Sequence, residues 1–309
     1  MKAVVLNGYG DVEHLELKEV DEPSPGPRQI KVKVAAASVN PVDWKIRRGD
    51  LRAMMPIHLP VILGRDVSGE VIAIGAEVRE FKVGDRVMGL VEHGYAEVVV
   101  ASVEAFALVP PEVPLPTAAA LPLVGLTGVQ LVEEAVRAHA GERILVTGAV
   151  GSVGRVAVFA AKRRGAQIIA GVRSRQRPEA KKLDVDEIVA LDDPQELERL
   201  RPVDAIADTV NGKVMAALLD RDKVVPGGVI GTVLQPPLGA KEQGLRVHAM
   251  LAHPDSAALA GIAAAAASGE LVIPIGRQFP LSQAPAAQHV AEAGGVGKVL
   301  LVPSLRRAS

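Results

Sequence analysis

Over the first hundred residues the apolar positions come in short runs, several of them alternating with polar ones, at residues 3–6, 30–37, 67–74 and 95–101. Proline and glycine clusters such as Pro23-Ser24-Pro25-Gly26-Pro27, and the turn signal Val83-Gly84-Asp85, separate them. The pattern predicts short strands joined by tight turns. After the proline-rich stretch 110–116 the rhythm changes. Residues 124–138 read as a helix. Strands over 143–147, 167–172, 187–191, 205–208, 229–234 and 246–252 then alternate with helices over 153–164, 177–183, 194–201 and 212–219. Strands and helices in this alternation predict a parallel sheet covered on both faces. Residues 271–302 return to short β runs around one helix over 283–293. The expected organisation is a β-rich domain from residues 1–121 with 254–309, interrupted by an α/β domain over 122–253.

Composition narrows the chemistry. At 309 residues the chain is long enough for about two domains of roughly 150 residues. Lys and Arg total 35 against 36 Asp and Glu, and aromatics are 2%. Near-neutrality and few stacking platforms argue against a nucleic-acid or membrane-surface partner. There is no cysteine, so disulfides, thiol nucleophiles and Cys-ligated zinc are excluded. The apolar N-terminus gives way at Asp11 and Glu13, and the apolar stretch 115–132 is broken by Pro116 and Pro122. A cytoplasmic location is the expectation. The seven histidines form no H-x-x-x-H pair, no G-x-S-x-G elbow is present, and neither tyrosine has a lysine four residues on. Asp43 and Asp66 form a candidate carboxylate pair that nothing in the sequence brings together. With so little acid–base equipment, a borrowed cofactor is expected to carry the chemistry, and no metal site is expected.

The cofactor signal lies at Ile144-Leu145-Val146-Thr147-Gly148-Ala149-Val150-Gly151-Ser152-Val153-Gly154. Gly148, Gly151 and Gly154 follow an apolar strand and open a helix, whose free N–H groups and positive end suit a pyrophosphate. Glycine lets the backbone approach a ligand with no Cβ in the way. A plain strand–turn–helix junction has the same spacing and stays open as the alternative. The next strand ends in Arg173-Ser174-Arg175-Gln176-Arg177, with no carboxylate before Glu179 and Lys181 one helical turn beyond. Arg173 and Arg175 offer forked donors to a 2′-phosphate and Ser174 a neutral one, which points to NADPH; the alternative is a solvated arginine-rich loop.

At family level, the run Gly64-Arg65-Asp66-Val67-Ser68-Gly69-Glu70-Val71 with Val83-Gly84-Asp85-Arg86-Val87 resembles the signature of medium-chain dehydrogenases/reductases. Ser38-Val39-Asn40-Pro41-Val42-Asp43, Gly94-Tyr95-Ala96-Glu97, Leu121-Pro122-Leu123-Val124-Gly125-Leu126-Thr127 and Gly297-Lys298-Val299 extend the match in the family's order. The chain is most similar to the zinc-free quinone oxidoreductase branch. That resemblance implies an α/β protein in which a doubly wound Rossmann domain is inserted in a GroES-like β-rich domain. Zinc-dependent members carry Cys where Asn40 stands and His where Arg65 stands. It further implies that Asn40 lies beside nicotinamide and substrate, that Thr127 packs on the nicotinamide side, and that Gly151 and Val153, with Ser152 in place of a common glycine, lie against the pyrophosphate and ribose. Val210, Asn211, Thr232 and Val233 are expected to line the cofactor groove. Lys45 stands where many quinone oxidoreductases have tyrosine. Trp44-Lys45 resembles instead a subgroup that reduces enones, in which such a lysine contacts the cofactor or the developing oxyanion.

The expected function is hydride transfer from NADPH to a quinone or an α,β-unsaturated carbonyl, with the Asn40 amide, the Lys45 ammonium or a backbone N–H as candidate donors to the growing oxygen charge. Two other readings stand beside it: an NADPH-binding sensor or structural protein without turnover, and an enoyl-thioester reductase. The family's usual state implies a homodimer.

Overall fold

In a computed structural model, residues 1–304 are described. The chain divides into two compact units, Met1–Leu123 with Pro254–Ser309 and Val124–His253. The first is a GroES-like β unit and the second a Rossmann-like α/β unit.

The long strand Gln29–Val39 organises the first unit. Ile30, Val32 and Val34 point into the core while Lys31 and Lys33 alternate with them, the period expected of a sheet with one covered face. From Ala36 onward both faces are covered and the alternation stops. This strand sits in a seven-stranded sheet, between Asp66–Ile74 and the C-terminal strand Lys298–Val302. The latter pairs antiparallel through Val299 with Val39 and Leu301 with Ala37, so the two ends of the chain share one sheet. A three-stranded sheet of Leu15–Glu19, Lys2–Leu6 and Val61–Ile62 completes the unit. Leu6, Ile30, Val67, Val87, Tyr95, Phe106 and Leu301 belong to one apolar core. Each large aliphatic side chain buried there contributes about 1.5–3 kcal/mol.

One helix of this unit had no periodic signal. Pro41–Arg48 starts because Asn40 is extended at the N-cap, Pro41 takes the first helical position, and the Asp43 side chain reaches back to the Asn40 N–H at 2.7 Å. It ends at Gly49, whose φ of 83° is left-handed.

In the second unit six parallel strands run in the order Glu187–Ala190, Gln167–Val172, Arg143–Thr147, Val203–Asp208, Val224–Thr232, Arg246–Ala249. Helices cover both faces. Ile144, Val146 and Ile168 pack with Ala157 and Ala161 of the helix Ser152–Arg163, while Leu145, Ile169 and Ile206 pack with Leu197, Met215 and Leu218.

Several sequence-based boundaries move. The helix expected over 124–138 is Pro122–Gln130 continued by a π-helical segment, Leu131–Val136. The helix over 177–183 shortens to Arg177–Ala180 after a 3-10 turn, Ser174–Gln176. The strand expected to open at 229 starts at Val224, with a register shift between Val203 and Ala205 that takes up Gly227 and Gly228. The alanine-rich run over residues 257–267 lies in the helix Ser256–Ala267, capped by the Asp255 carboxylate on the Ala258 N–H at 2.9 Å. Leu115–Val136 is long and apolar enough to cross a membrane by length and composition alone, and 72% of its most apolar window is buried within the protein.

Candidate functional site

The glycine turn closes on itself. Gly148 has a φ of 65°, and the Gly151 N–H donates to the Gly148 carbonyl at 2.8 Å. A Cβ on Gly154 would lie 2.1 Å from that same carbonyl oxygen, so the helix can start this close to the strand only with glycine there. The first intrahelical bond runs from Arg155 N–H to Gly151 O at 2.9 Å, which leaves the N–H groups of Ser152, Val153 and Gly154 for an outside acceptor. These donors at a twelve-residue helix's positive end fit a dinucleotide pyrophosphate.

Next to this turn a residue that sequence reading passed over ties three strand ends together. The buried Asp208 accepts from Thr147 Oγ1 at 2.8 Å, from the N–H groups of Val210 and Asn211 at 3.2 and 3.0 Å, and from Thr232 Oγ1 at 3.0 Å. Its one signal was a carboxylate closing an apolar strand. Thr232 is buried; its hydroxyl donates to Asp208 and accepts from the Leu234 N–H at 3.1 Å. Asn211, at a φ of 49°, accepts from the Gly212 N–H at 2.7 Å and donates to the Gln235 carbonyl at 2.6 Å. Val210 is exposed and Val233 half-buried, leaving both with apolar surface at the strand ends.

Beyond the strand Gln167–Val172, the side chains of Arg173, Arg175 and Lys181 are exposed. None of the three makes an ion pair or side-chain hydrogen bond among the described residues. Arg177, by contrast, is paired with Glu196. Ser174 differs from expectation: its N–H and Oγ donate to Asp192 Oδ1 at 2.7 and 2.8 Å. That commits the hydroxyl to a neighbouring carboxylate instead of leaving it for a phosphate.

In the first unit the residues expected to act on substrate form a buried polar network. Asn40 is 1% exposed, and both ends of its amide are used. Its Nδ2 donates to Asp66 Oδ2 at 2.8 Å, and its Oδ1 accepts from Lys298 Nζ at 2.6 Å. Ser38 Oγ and the Leu123 N–H also donate to Asp66, at 2.5 and 2.6 Å, and Lys298 lies 3.7 Å from it. The Asn40 N–H and the Tyr95 hydroxyl donate to Asp43 Oδ2 at 2.7 and 2.8 Å. Thus Asp43 and Asp66 do converge, on the two sides of Asn40. Burial pushes the Asp43 carboxyl up to about 7, against the hydrogen bonds from Asn40 and Tyr95, and pushes Tyr95 well above and Lys298 below their ordinary ranges. The Asn40 amide, expected as a donor to substrate, is engaged within its own unit, its Nδ2 by Asp66 and at longer range by Ser38 at 3.3 and 3.4 Å, and its Oδ1 by Lys298. Lys298 had appeared in the sequence only as part of a Gly-Lys-Val segment.

Lys45, one residue past Trp44 on the helix Pro41–Arg48, is half-buried, and its side chain makes no hydrogen bond or ion pair among the described residues. Trp44 packs against the core of its unit. Thr127, on the helix Pro122–Gln130, is half-buried. The positions at which the resemblance puts zinc ligands do not fit the ion. The only side-chain oxygen of Asn40 already faces the Lys298 ammonium, and Arg65 is paired with Glu92 at 2.9 Å. Among the described residues no group of three or more His, Cys, Asp or Glu is placed to hold a metal.

Comparison with known proteins agrees with this geometry. Residues 26–111 match the family model of the alcohol dehydrogenase GroES-like domain, and residues 183–301 that of zinc-binding dehydrogenases. A chloroplast envelope quinone oxidoreductase homolog of Arabidopsis thaliana is 36% identical over 226 residues, 69% of this chain and 69% of its own length. A chloroplastic quinone-oxidoreductase homolog of Spinacia oleracea is 37% identical over 205 residues, 63% of this chain and 62% of its own. The solved quinone oxidoreductase from Coxiella burnetii superposes with a TM-score of 0.86 at 30% identity, covering 99% of both chains. The chain belongs to the medium-chain dehydrogenase/reductase superfamily, in its quinone oxidoreductase branch, and is an oxidoreductase of that family.

Proposed function

We propose that this protein reduces a quinone or an α,β-unsaturated carbonyl with NADPH, without a metal ion. The observation that carries the reading is that Arg173 and Arg175, just past the strand that follows the glycine turn, and Lys181, past the helix Arg177–Ala180, are exposed and make no ion pair or side-chain hydrogen bond among the described residues. Three exposed cations outside any ion pair among the described residues suit a 2′-phosphate dianion, and Arg173 and Arg175 supply forked donors for it. The N–H groups of Ser152, Val153 and Gly154 would hold the pyrophosphate, and Gly148 and Gly151 leave the backbone bare beside it.

A bound reduced nicotinamide supplies a hydride. The chain's own part is to bind and orient, and to steady the negative charge that grows on the substrate's oxygen. Lys45 is the donor for that charge, because its ammonium is half-buried and has no partner to surrender. Asn40 serves beneath it as a rigid N-cap, locked by Lys298 and Asp66, that fixes where the helix bearing Lys45 begins. The resulting oxyanion is delocalised, so water can deliver the last proton. Thr127, Val210 and Val233 are assigned to lining the cofactor groove. A cytoplasmic homodimer is part of the same reading; the strand Arg246–Ala249, paired on one side only, offers an open sheet edge for a second copy.

The test is oxidation of NADPH followed at its own absorbance with 1,4-benzoquinone and then an enone as acceptors, with and without a chelator. Turnover that the chelator leaves unchanged is the expected result. NADPH binding with no oxidation by either acceptor would turn the reading toward a non-catalytic binder, and the faster acceptor assigns the substrate class.

A further inference from the structure

The cationic loop also holds a carboxylate that its sequence does not contain. Asp192 follows the strand Glu187–Ala190, which pairs with Gln167–Val172 through Ala190 and Val172. The ends of these neighbouring strands therefore bring Asp192 against residues 173–175. Ser174 fixes it there, with its N–H and its hydroxyl both donating to Oδ1 at 2.7 and 2.8 Å. Among the described residues no other residue donates a hydrogen bond to the second oxygen, Oδ2, and the side chain is exposed. The bonds from Ser174, and then the charge of Arg173, hold the Asp192 carboxyl below its ordinary range, so it stays ionised near neutrality.

Cations and an anchored carboxylate on one surface make opposite demands on a ribose. A 2′-phosphate is drawn to Arg173, Arg175 and Lys181 and repelled by Asp192. A free 2′-hydroxyl gains nothing from the arginines beyond a weak donor contact, but it can donate to the open carboxylate oxygen. We propose that Asp192 is a specificity-determining residue at the adenosine end of the site: its Oδ2 takes the 2′-hydroxyl of NADH, and its charge holds back NADPH, so that the chain accepts both dinucleotides. The inference rests on the reading that residues 173–181 receive the adenosine ribose. It explains why Ser174 is spent on a side chain instead of on the ligand. Its two bonds aim the carboxylate.

Asp192→Asn is the test, because asparagine keeps an oxygen for Ser174 and removes only the charge. Dissociation constants for NADPH and NADH are measured by nicotinamide fluorescence on the unmodified chain, on this variant and on Arg173→Glu, at one ionic strength. The expected result is an NADPH affinity about tenfold higher in Asp192→Asn, the effect of one unit charge a few ångström from a phosphate, and an NADH affinity unchanged or lower. If Arg173→Glu alters the NADPH-to-NADH ratio and Asp192→Asn does not, the inference is overturned while the reading of the loop stands. If neither variant alters the ratio, or if the unmodified chain binds neither dinucleotide, the loop does not receive the ribose and both fall. A binding readout keeps the result independent of turnover.

Discussion

Two polar clusters, one in each unit, use the same residue types in opposite ways. Around Asn40, every charged or amide group is paired with another: Lys298 with Asn40 and Asp66, Asp66 with Ser38 and the Leu123 N–H, Asp43 with Tyr95. Around residues 173–181, Arg173, Arg175 and Lys181 are exposed and make no ion pair among the described residues, whereas Arg177 is held by Glu196. Burial decides the difference. An ammonium and a carboxylate 0–6% exposed must satisfy each other, because the cost of leaving either alone in a low-dielectric interior is several kcal/mol. Exposed guanidinium groups pay no such penalty and can wait for a ligand. A signature motif can thus mark the frame of a site as well as its working groups, and only the partners of each atom separate the two.

The sharpest way to break the comparison is to delete the buried cation. Lys298→Ala leaves Asp66 and the Asn40 oxygen without their ammonium, and should cost about 3–5 kcal/mol of stability, read from urea unfolding. A loss below about 1 kcal/mol would show that the network is not what holds this region. Lys45→Ala makes the contrast within one helix. Its ammonium has no partner, so stability should change by no more than about 0.5 kcal/mol, while kcat for acceptor reduction falls on the order of 10²-fold. Equal kcat would remove Lys45 from the chemistry.

A smaller effect concerns pH. Burial raises the folded Asp43 carboxyl to about 7 from an ordinary 3.8, so the folded protein holds this proton more tightly than the unfolded chain. The stabilisation is complete below about pH 4 and is lost as pH rises through about 7, with a slope of roughly 1 kcal/mol per pH unit in between. Asp66, Lys298 and Tyr95 face the same carboxyl. Asp43→Asn keeps an acceptor for Tyr95 and the Asn40 N–H, and its urea midpoint should vary less between pH 5 and pH 8 than that of the unmodified chain. Parallel profiles would count against a neutral Asp43.

Much of this was legible in the residues, and for physical reasons. Hydrophobic periodicity and glycine placement are local, so the β-rich and α/β stretches and the Gly148–Gly154 turn could be read directly. The helix Pro41–Arg48 has caps but too little periodicity over eight residues to announce itself. The convergence of Asp43, Asp66 and Lys298 could not be read, because Asn40 and Lys298 are 258 positions apart and meet only through the pairing of Lys298–Val302 with Gln29–Val39. Asp192 was missed in the same way, being joined to Ser174 only by strand adjacency. The family resemblance singled out Asn40 and the arginine-rich run singled out Ser174; the partners that claim their hydrogen bonds come from elsewhere in the chain.

The central claim is that the unpaired cations, and not the buried network, are the ligand-facing charges. The most direct measurement is a fluorescence titration of the unmodified chain and of Arg173→Glu with NADPH, alongside a thermal melt of each. The account predicts NADPH binding that weakens at least tenfold in the variant, with an unchanged melting temperature. Equal NADPH affinity in the two proteins would contradict it.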